Sequence, residues 1–381
     1  MIEIKGMSWD HPRGFDPMVK TASEFKTKYP DVNIHWEKRP LQAFADRPIE
    51  EMAFDYDLIV MDHPHVGEAS RKNLILELNS FEKFKDQLSH LEKNSVGQSH
   101  KSYNFNNNQY ALAIDAAAPV SSYRKDLIEN PPCTFEETIK LAEQSKVIWP
   151  IKPVDSISCF NSIAANLGQP INNVHTKFTD KNLAKNILSM MKDLANLVPE
   201  KCLSMNPINV LDIMSETNDF SFCPMLYGYS NYSRKNFRQY IVNFGNMISF
   251  NNDKNDCKGS QIGGTGLAIS KSSKNIEVAL EYSFWVASET CQKGIFYKSG
   301  GQPGHLKAWK HKEINQDCEN FFSNTLETLE KSWLRPRYDG YMYYQDKGGT
   351  LINRFLNNEI SLDKTIENLF IEFERSFSVN S

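Results

Sequence analysis

Residues 57–67 read "DLIVMDHPHVG". The run from Asp57 to Met61 is apolar after its first residue and bounded by polar ones, which suits a β-strand covered on both faces. Directly after it come Asp62, His63, Pro64 and a second histidine, His65. The same Asp-His-Pro tripeptide stands at residues 10–12, in "GMSWDHPRGFD", again after a short apolar run. A proline following the histidine favours an extended backbone and ends the strand, so both tripeptides read as strand ends.

The intervening segments set the fold class. Glu3–Met7 reads as a first strand. Asp16 and Pro17 read as the cap and first residue of a helix. That helix continues through Met18, Ala22, Phe25 and Tyr29 at helical spacing and stops before Pro30. "VNIHWEK" then alternates, with Val32, Ile34 and Trp36 on one face. Strand, helix, strand, helix, strand implies parallel strands with right-handed crossovers. Open sheets of this kind bind ligands beyond the carboxyl ends of their strands, where both tripeptides fall.

Further along, "QYALAIDAAAPVSSYR" (109–124) reads as one strand passing into another through Asp115 and small residues. The spacing predicts helices over 135–145 with Thr134 as cap, over 159–167 ended by Gly168, and over 180–197. It predicts strands over 147–151 and from Ser221, the latter leading into the aromatic loop "LYGYSNY". "QIGGTGLAIS" (261–270) reads as a return crossing into a strand at Leu267–Ile269, followed by a helix over 275–288. "YKSGGQPGH" (297–305) is a turn-rich loop and "RPRYDGYMYYQ" (335–345) an irregular aromatic segment. Ser361 caps a final amphipathic helix.

Composition excludes several classes. A chain of 381 residues exceeds one ordinary core and implies two lobes. A formal charge of -4 argues against a nucleic-acid partner, which needs a basic face. No apolar run is long enough to insert in a membrane. Seven scattered cysteines without a C-x-x-C pair argue against a disulfide framework or a thiolate metal site. "MIEIKGMSWD" has neither a basic nor an apolar leader region. The protein is therefore expected in the periplasm or outside the cell if a leader was removed, and in the cytoplasm if Met1 is the native start.

The order of elements resembles the family 1 extracellular solute-binding proteins, the maltose-binding-protein-like components of ABC importers. The resemblance is carried by the opening β-α-β, "YALAIDAAAPVSSYR", "GGTGLAIS", "SGGQPG" and "RPRYDGY". It implies an α/β fold of the periplasmic-binding-protein-like type II, with two α/β lobes gripping a ligand in the cleft between them. One lobe would hold residues 1–113 plus 266–308, the other 119–261 plus 309–381. The crossings would lie near 114–118, 262–266 and 300–310. The resemblance also implies a monomer, an ABC permease as partner, no cofactor and a small polar solute, by default a carbohydrate.

A polar solute is held by hydrogen bonds from strand-end loops and by rings stacked on its apolar faces. The first lobe offers Trp9, Asp10, His11, Arg13, Asp62, His63 and His65. The alternatives are that Asp10 and Asp62 cap the segments after them, that Arg13 pairs with Asp16, and that Trp9 is core. Asp115 sits where family members commonly place a ligand contact, or else caps a turn. Ser156 and Cys159 are expected at a helix start whose free N–H groups suit an anion or a sugar oxygen. Tyr227 and Tyr229 are stacking candidates, unless they form a core stripe. Gly264, Thr265, Gln302 and Pro303 would add backbone and amide contacts. Arg337 and Tyr338 would either join them or pack within a lobe. A metal site is not expected, because in an extended His63-Pro64-His65 the two rings point to opposite sides.

Two function classes are consistent with these residues. One is a binding protein that closes on a solute and performs no chemistry. The other is a cytosolic enzyme or ligand sensor on the same fold, since fold does not fix function. The fold resembles that of thiaminase I, with a cysteine nucleophile; here Cys159 would be the thiol and His11 or His63 the base. The plainer reading of Cys159 is a small buried hydrophobe.

Overall fold

The computed structural model describes residues 1–40, 49–172 and 178–378. In chain order the elements used below begin with β1 (Ile2–Trp9), α1 (Asp16–Lys28), β2 (Val32–Arg39), α2 (Ile49–Asp55) and β3 (Leu58–Met61). Then come α3 (Val66–Arg71), α4 (Lys85–Lys93), β4 (Leu112–Ala113), β5 (Pro119–Tyr123), α5 (Phe135–Ala142) and α6 (Pro153–Asn166). After these lie α7 (Lys181–Ala195), α8 (Pro207–Glu216), β6 (Phe222–Tyr227), β7 (Asn243–Gly245), β8 (Gly266–Ile269) and α9 (Ile276–Ala287). The chain ends with α10 (Phe321–Glu330), α11 (Tyr341–Leu356) and α12 (Leu362–Ser376).

Two compact units result, Met1–Ala117 with Gly263–Asn315 and Ala118–Ile262 with Gln316–Ser381. In the first, five strands lie in the order β2-β1-β3-β8-β4. β1 runs parallel to β2 and to β3, and β8 runs antiparallel to β3 and β4. All four residues of β3 are buried, as a strand covered on both faces requires. Each such side chain contributes about 1.5–3 kcal/mol by leaving water. α1 and α9 join through Thr21 Oγ1 and Tyr282 Oη, 2.8 Å apart. The third boundary falls after Asn315, because residues up to there are tied into the first unit. Asn315 Nδ2 donates to Trp309 O, and Trp309 Nε1 donates to Pro303 O at 2.6 Å.

The second unit has a three-stranded antiparallel sheet, β6-β5-β7. Its helices pack through specific polar ties. Asn353 of α11 donates to Ile151 O and Leu203 O, at 2.7 and 2.9 Å.

Several sequence expectations need correction. Asp16 is the first residue of α1 rather than its cap, and the residue in the cap position, Phe15, makes no side-chain cap bond. The Asp16 carboxylate still faces the positive end of the helix dipole. The apolar run 147–151 is not a strand. Val147 bridges singly to Phe222 and the rest is a buried irregular segment. The helix expected to start at 159 starts at Pro153, where proline costs no hydrogen bond. "RPRYDGYMYYQ" is irregular only up to Gly340, and α11 begins within it at Tyr341.

Candidate functional site

The register Gly6–Leu58 and Met7–Ile59, carried forward along β1 and β3, brings Asp10 level with Asp62 and His11 level with His63. The duplicated tripeptides thus end neighbouring parallel strands. Their backbones then diverge. After β1 the chain turns back, with Gly14 N–H and Phe15 N–H both donating to His11 O. After β3, residues His63–His65 form a single 3₁₀ turn running into α3. The backbone at His63-Pro64-His65 is therefore helical rather than extended, because Pro64 sits in the first turn, where its missing N–H costs nothing.

His11, His63 and His65 are all buried. His11 Nδ1 accepts the Arg13 backbone N–H at 3.0 Å, so the proton of the neutral ring resides on Nε2. His63 lies edge-on to Tyr103, ring centroids 6.1 Å apart. Asp10 is exposed and paired with Lys38 at 2.8 Å. Trp9 is buried, with its ring covering Gly14 so closely that a Cβ there would fall 2.3 Å from it. It is core in this structure and not an open stacking platform.

Arg13 and Asp115 hold each other. Nε and Nη2 of Arg13 reach the two carboxylate oxygens at 2.8 and 2.6 Å, both side chains being buried. The alternative reading of Arg13, a pair with Asp16, gives way to this bond with Asp115. Burial pushes the Asp115 carboxyl above the ordinary range, opposed by the Arg13 guanidinium and assisted by nearby Asp62. The backbone of Asp115 exchanges hydrogen bonds with Thr265, both at 3.1 Å, and bridges to Pro303. Gln302 Nε2 donates to Ala116 O at 2.8 Å. Gly264 has φ +90°, and a Cβ there would lie 2.3 Å from Asp115 O, so glycine is required. Thr265 Oγ1 is buried without a hydrogen-bond partner among the described residues. Tyr103, which sequence reasoning missed, donates from its hydroxyl to Met61 O at 3.0 Å and Gly264 O at 3.4 Å. It joins the end of β3 to the start of β8. The first-unit candidates thus form one cluster beyond β1, β3 and the entry to β8.

In the second unit a missed residue, Gln261, holds one candidate, Tyr227, together with Ser158 and Asn161, which sequence reasoning also missed. Its Nε2 donates to Tyr227 Oη at 2.9 Å and Ser158 Oγ at 3.1 Å, while its Oε1 accepts from Asn161 Nδ2 at 3.3 Å. Asn161 Nδ2 also donates to Tyr341 Oη at 3.3 Å. The end of β6, the middle of α6 and the start of α11 thereby meet. Tyr227 is half-buried and Tyr229 buried. Ser156 Oγ donates to Ile151 O and is fully buried. Tyr338 packs: its hydroxyl pairs with Ser376 Oγ at 2.7 Å and its ring stacks on Phe377.

Cys159 is not at a helix start but well inside α6, and burial pushes its thiol up. The low-pKa nucleophile of the enzyme reading is thus opposed by its surroundings. Asp155, in the first turn of α6, is buried with Oδ2 lacking a partner among the described residues, and burial raises it to about 7.

Among the described residues, one set of metal-ligand type comes within 4.8 Å: His90, Glu289 and His305. Glu289 is held by Lys293 at 2.8 Å and His305 Nδ1 accepts from Lys307 N–H, so both have structural work. None of the Asp-His-Pro residues belongs to it.

No protein-family model matches the chain, and no curated protein does. Solved structures are similar over nearly its whole length. The maltose-bound MalE3 of T. maritima is 16% identical with a TM-score of 0.84, covering 98% of this chain and 99% of that one. A solute-binding protein of an ABC transporter from Agrobacterium radiobacter K84, in complex with ribitol, is 17% identical with a TM-score of 0.82, covering 98% of each chain. An ABC substrate-binding protein from Listeria monocytogenes, in complex with cycloalternan, is 16% identical with a TM-score of 0.80, covering 99% of each. These place the chain in the two-lobed α/β fold of periplasmic-binding-protein-like type II.

Proposed function

We propose that this chain is the substrate-binding component of an ABC importer. It binds a carbohydrate or related polyol without transforming it, acts in the periplasm or outside the cell, and delivers its solute to a membrane permease. The observation that carries this reading is the full-length likeness to binding proteins whose bound ligands are maltose, ribitol and cycloalternan. The residue chemistry agrees. The first unit gathers imidazole, hydroxyl and carboxylate groups at its strand ends, and the second presents the half-buried Tyr227 on a hydrogen-bonded mount. Such a mixture suits a solute with hydroxyl edges and apolar ring faces.

The test is a thermal-shift screen against sugars, polyols and their acids. A ligand at a hundredfold excess over its dissociation constant adds about 2.7 kcal/mol of stability. His11→Ala and Tyr227→Ala are each expected to abolish that shift. A screen in which no member of these classes stabilises the protein overturns the reading. The enzyme alternative draws no support from Cys159, whose thiol is held protonated.

A further inference from the structure

Arg13 and Arg124, both buried, are each held by a carboxylate. Arg13 meets both oxygens of Asp115. Arg124 meets both oxygens of Asp126, at 2.8 and 2.6 Å, and further donates to Met214 O, Thr217 O and Asn218 Oδ1. Each guanidinium is matched by one bidentate carboxylate, the geometry its planar fork favours. Arg337 differs. Its Nε and Nη1 are buried from solvent and have no hydrogen-bond partner among the described residues. Desolvation pulls it below its ordinary value, and no carboxylate among the described residues opposes that shift. Arg337 is half-buried, with two of its three guanidinium nitrogens out of water; a cation partly desolvated without a counter-charge weakens the fold unless something outside the chain supplies that charge.

The segment that carries Arg337 is pinned on both sides. Pro336 precedes it and limits the backbone. Tyr338 comes next, fixed by Ser376 and by its ring stack on Phe377 at 4.1 Å. Arg335 is tied to Gln345 at 3.0 Å. Arg337 is therefore presented from a rigid mount, as a binding group is rather than a surface charge.

We propose that the solute carries a carboxylate, and that Arg337 receives it: the ligand is a sugar acid rather than a neutral sugar. This rests on the solute-binding reading and narrows it. One guanidinium balances one carboxylate charge. A phosphate ester carries nearly two charges at neutral pH and needs further donors.

Two experiments decide it. The first needs no ligand: thermal unfolding of the free protein and of Arg337→Met and Arg337→Gln. Removing a half-buried cation that lacks a counter-charge raises the melting temperature in at least one variant. A fall in both means that the side chain supports the fold, and overturns the proposal. The second compares matched probes by calorimetry: glucose and galactose, glucuronate and galacturonate, gluconate and glucitol, and glucose 6-phosphate. A sugar acid is expected to bind while its neutral counterpart and the phosphate do not. Arg337→Met is expected to weaken that binding about tenfold or more, the cost of a lost charged hydrogen bond, with Arg337→Lys retaining part of it. Neutral sugars binding as well as acids leaves the solute-binding reading standing and removes this one, as does tight binding of the phosphate alone. If no probe binds, this proposal falls, and the solute-binding reading is decided by the wider thermal-shift screen.

Discussion

The most informative single contact is the one between Arg13 and Asp115, because two ligand candidates hold each other. Both are buried, and the bond is bidentate. Removing one partner strands the other as an uncompensated charge, which costs about 3–5 kcal/mol. Removing both costs much less. Urea unfolding of Arg13→Met, Asp115→Leu and the double variant is thus expected to show strong coupling, with the double variant more stable than either single one. Additive losses would mean the pair is not an energetic unit. Nothing in the sequence signals this pairing. The partners are 102 positions apart, and each has an equally good local role, Arg13 beside Asp16 and Asp115 at a turn. The same holds for Gln261, whose amide reaches residues on separate elements; an isolated glutamine before a glycine pair gives no hint of them.

At the level of elements, legibility tracks how local the determinant is. β1, α1 and β3 are readable because their hydrophobic period lies within a few residues, and so are the caps Thr134 and Ser361; the cap of α1 is not. α11 is not. It opens in an aromatic stretch and contains the pair Gly348-Gly349, both poor helix signals. Its order comes from packing, with Asn353 anchored to backbone oxygens far away in sequence. The run 147–151 errs the other way, since it is apolar because it is buried and not because it pairs as a strand. Local caps also permit local prediction. Asp180 accepts from the backbone N–H groups of Asn182 and Leu183, at 2.8 and 3.0 Å. Asp180→Ala is expected to cost about 1 kcal/mol, with Asp180→Asn recovering most of it. Chemical denaturation reads both; an Asn variant as weak as the Ala variant would show that the charge, not the cap, matters.

For the whole molecule, the two units carry buried ionisable groups of opposite sign in their pH response. His100, in the first unit, is lowered from 6.5 to about 4, by burial before anything else. Its neutral form is the one that folds, so its contribution is intact above 6.5 and is lost as pH falls toward 4. Asp155, in the second unit, is raised from 3.8 to about 7 by burial. Its neutral form also folds, but here the contribution is intact below 3.8 and is lost as pH rises through 7. The latter shift corresponds to up to about 4 kcal/mol above pH 7. Asp155→Asn is therefore expected to be more stable than the parent at pH 8, with the gap closing toward pH 4. His100→Gln is expected to lose less stability than the parent between pH 6.5 and 4, while matching its slope above 7. Because the groups lie in different units and share no partner, the two effects are expected to add in the double variant. Scanning calorimetry at half-unit pH steps measures all four proteins. A gap for Asp155→Asn that does not change with pH would show that the Asp155 carboxyl is already ionised in the folded state. Sequence alone marks neither group: Asp155 stands in "KPVDSIS" and His100 in "GQSHKSY", both polar stretches that look solvated until the packing around α6 and before β4 takes them out of water.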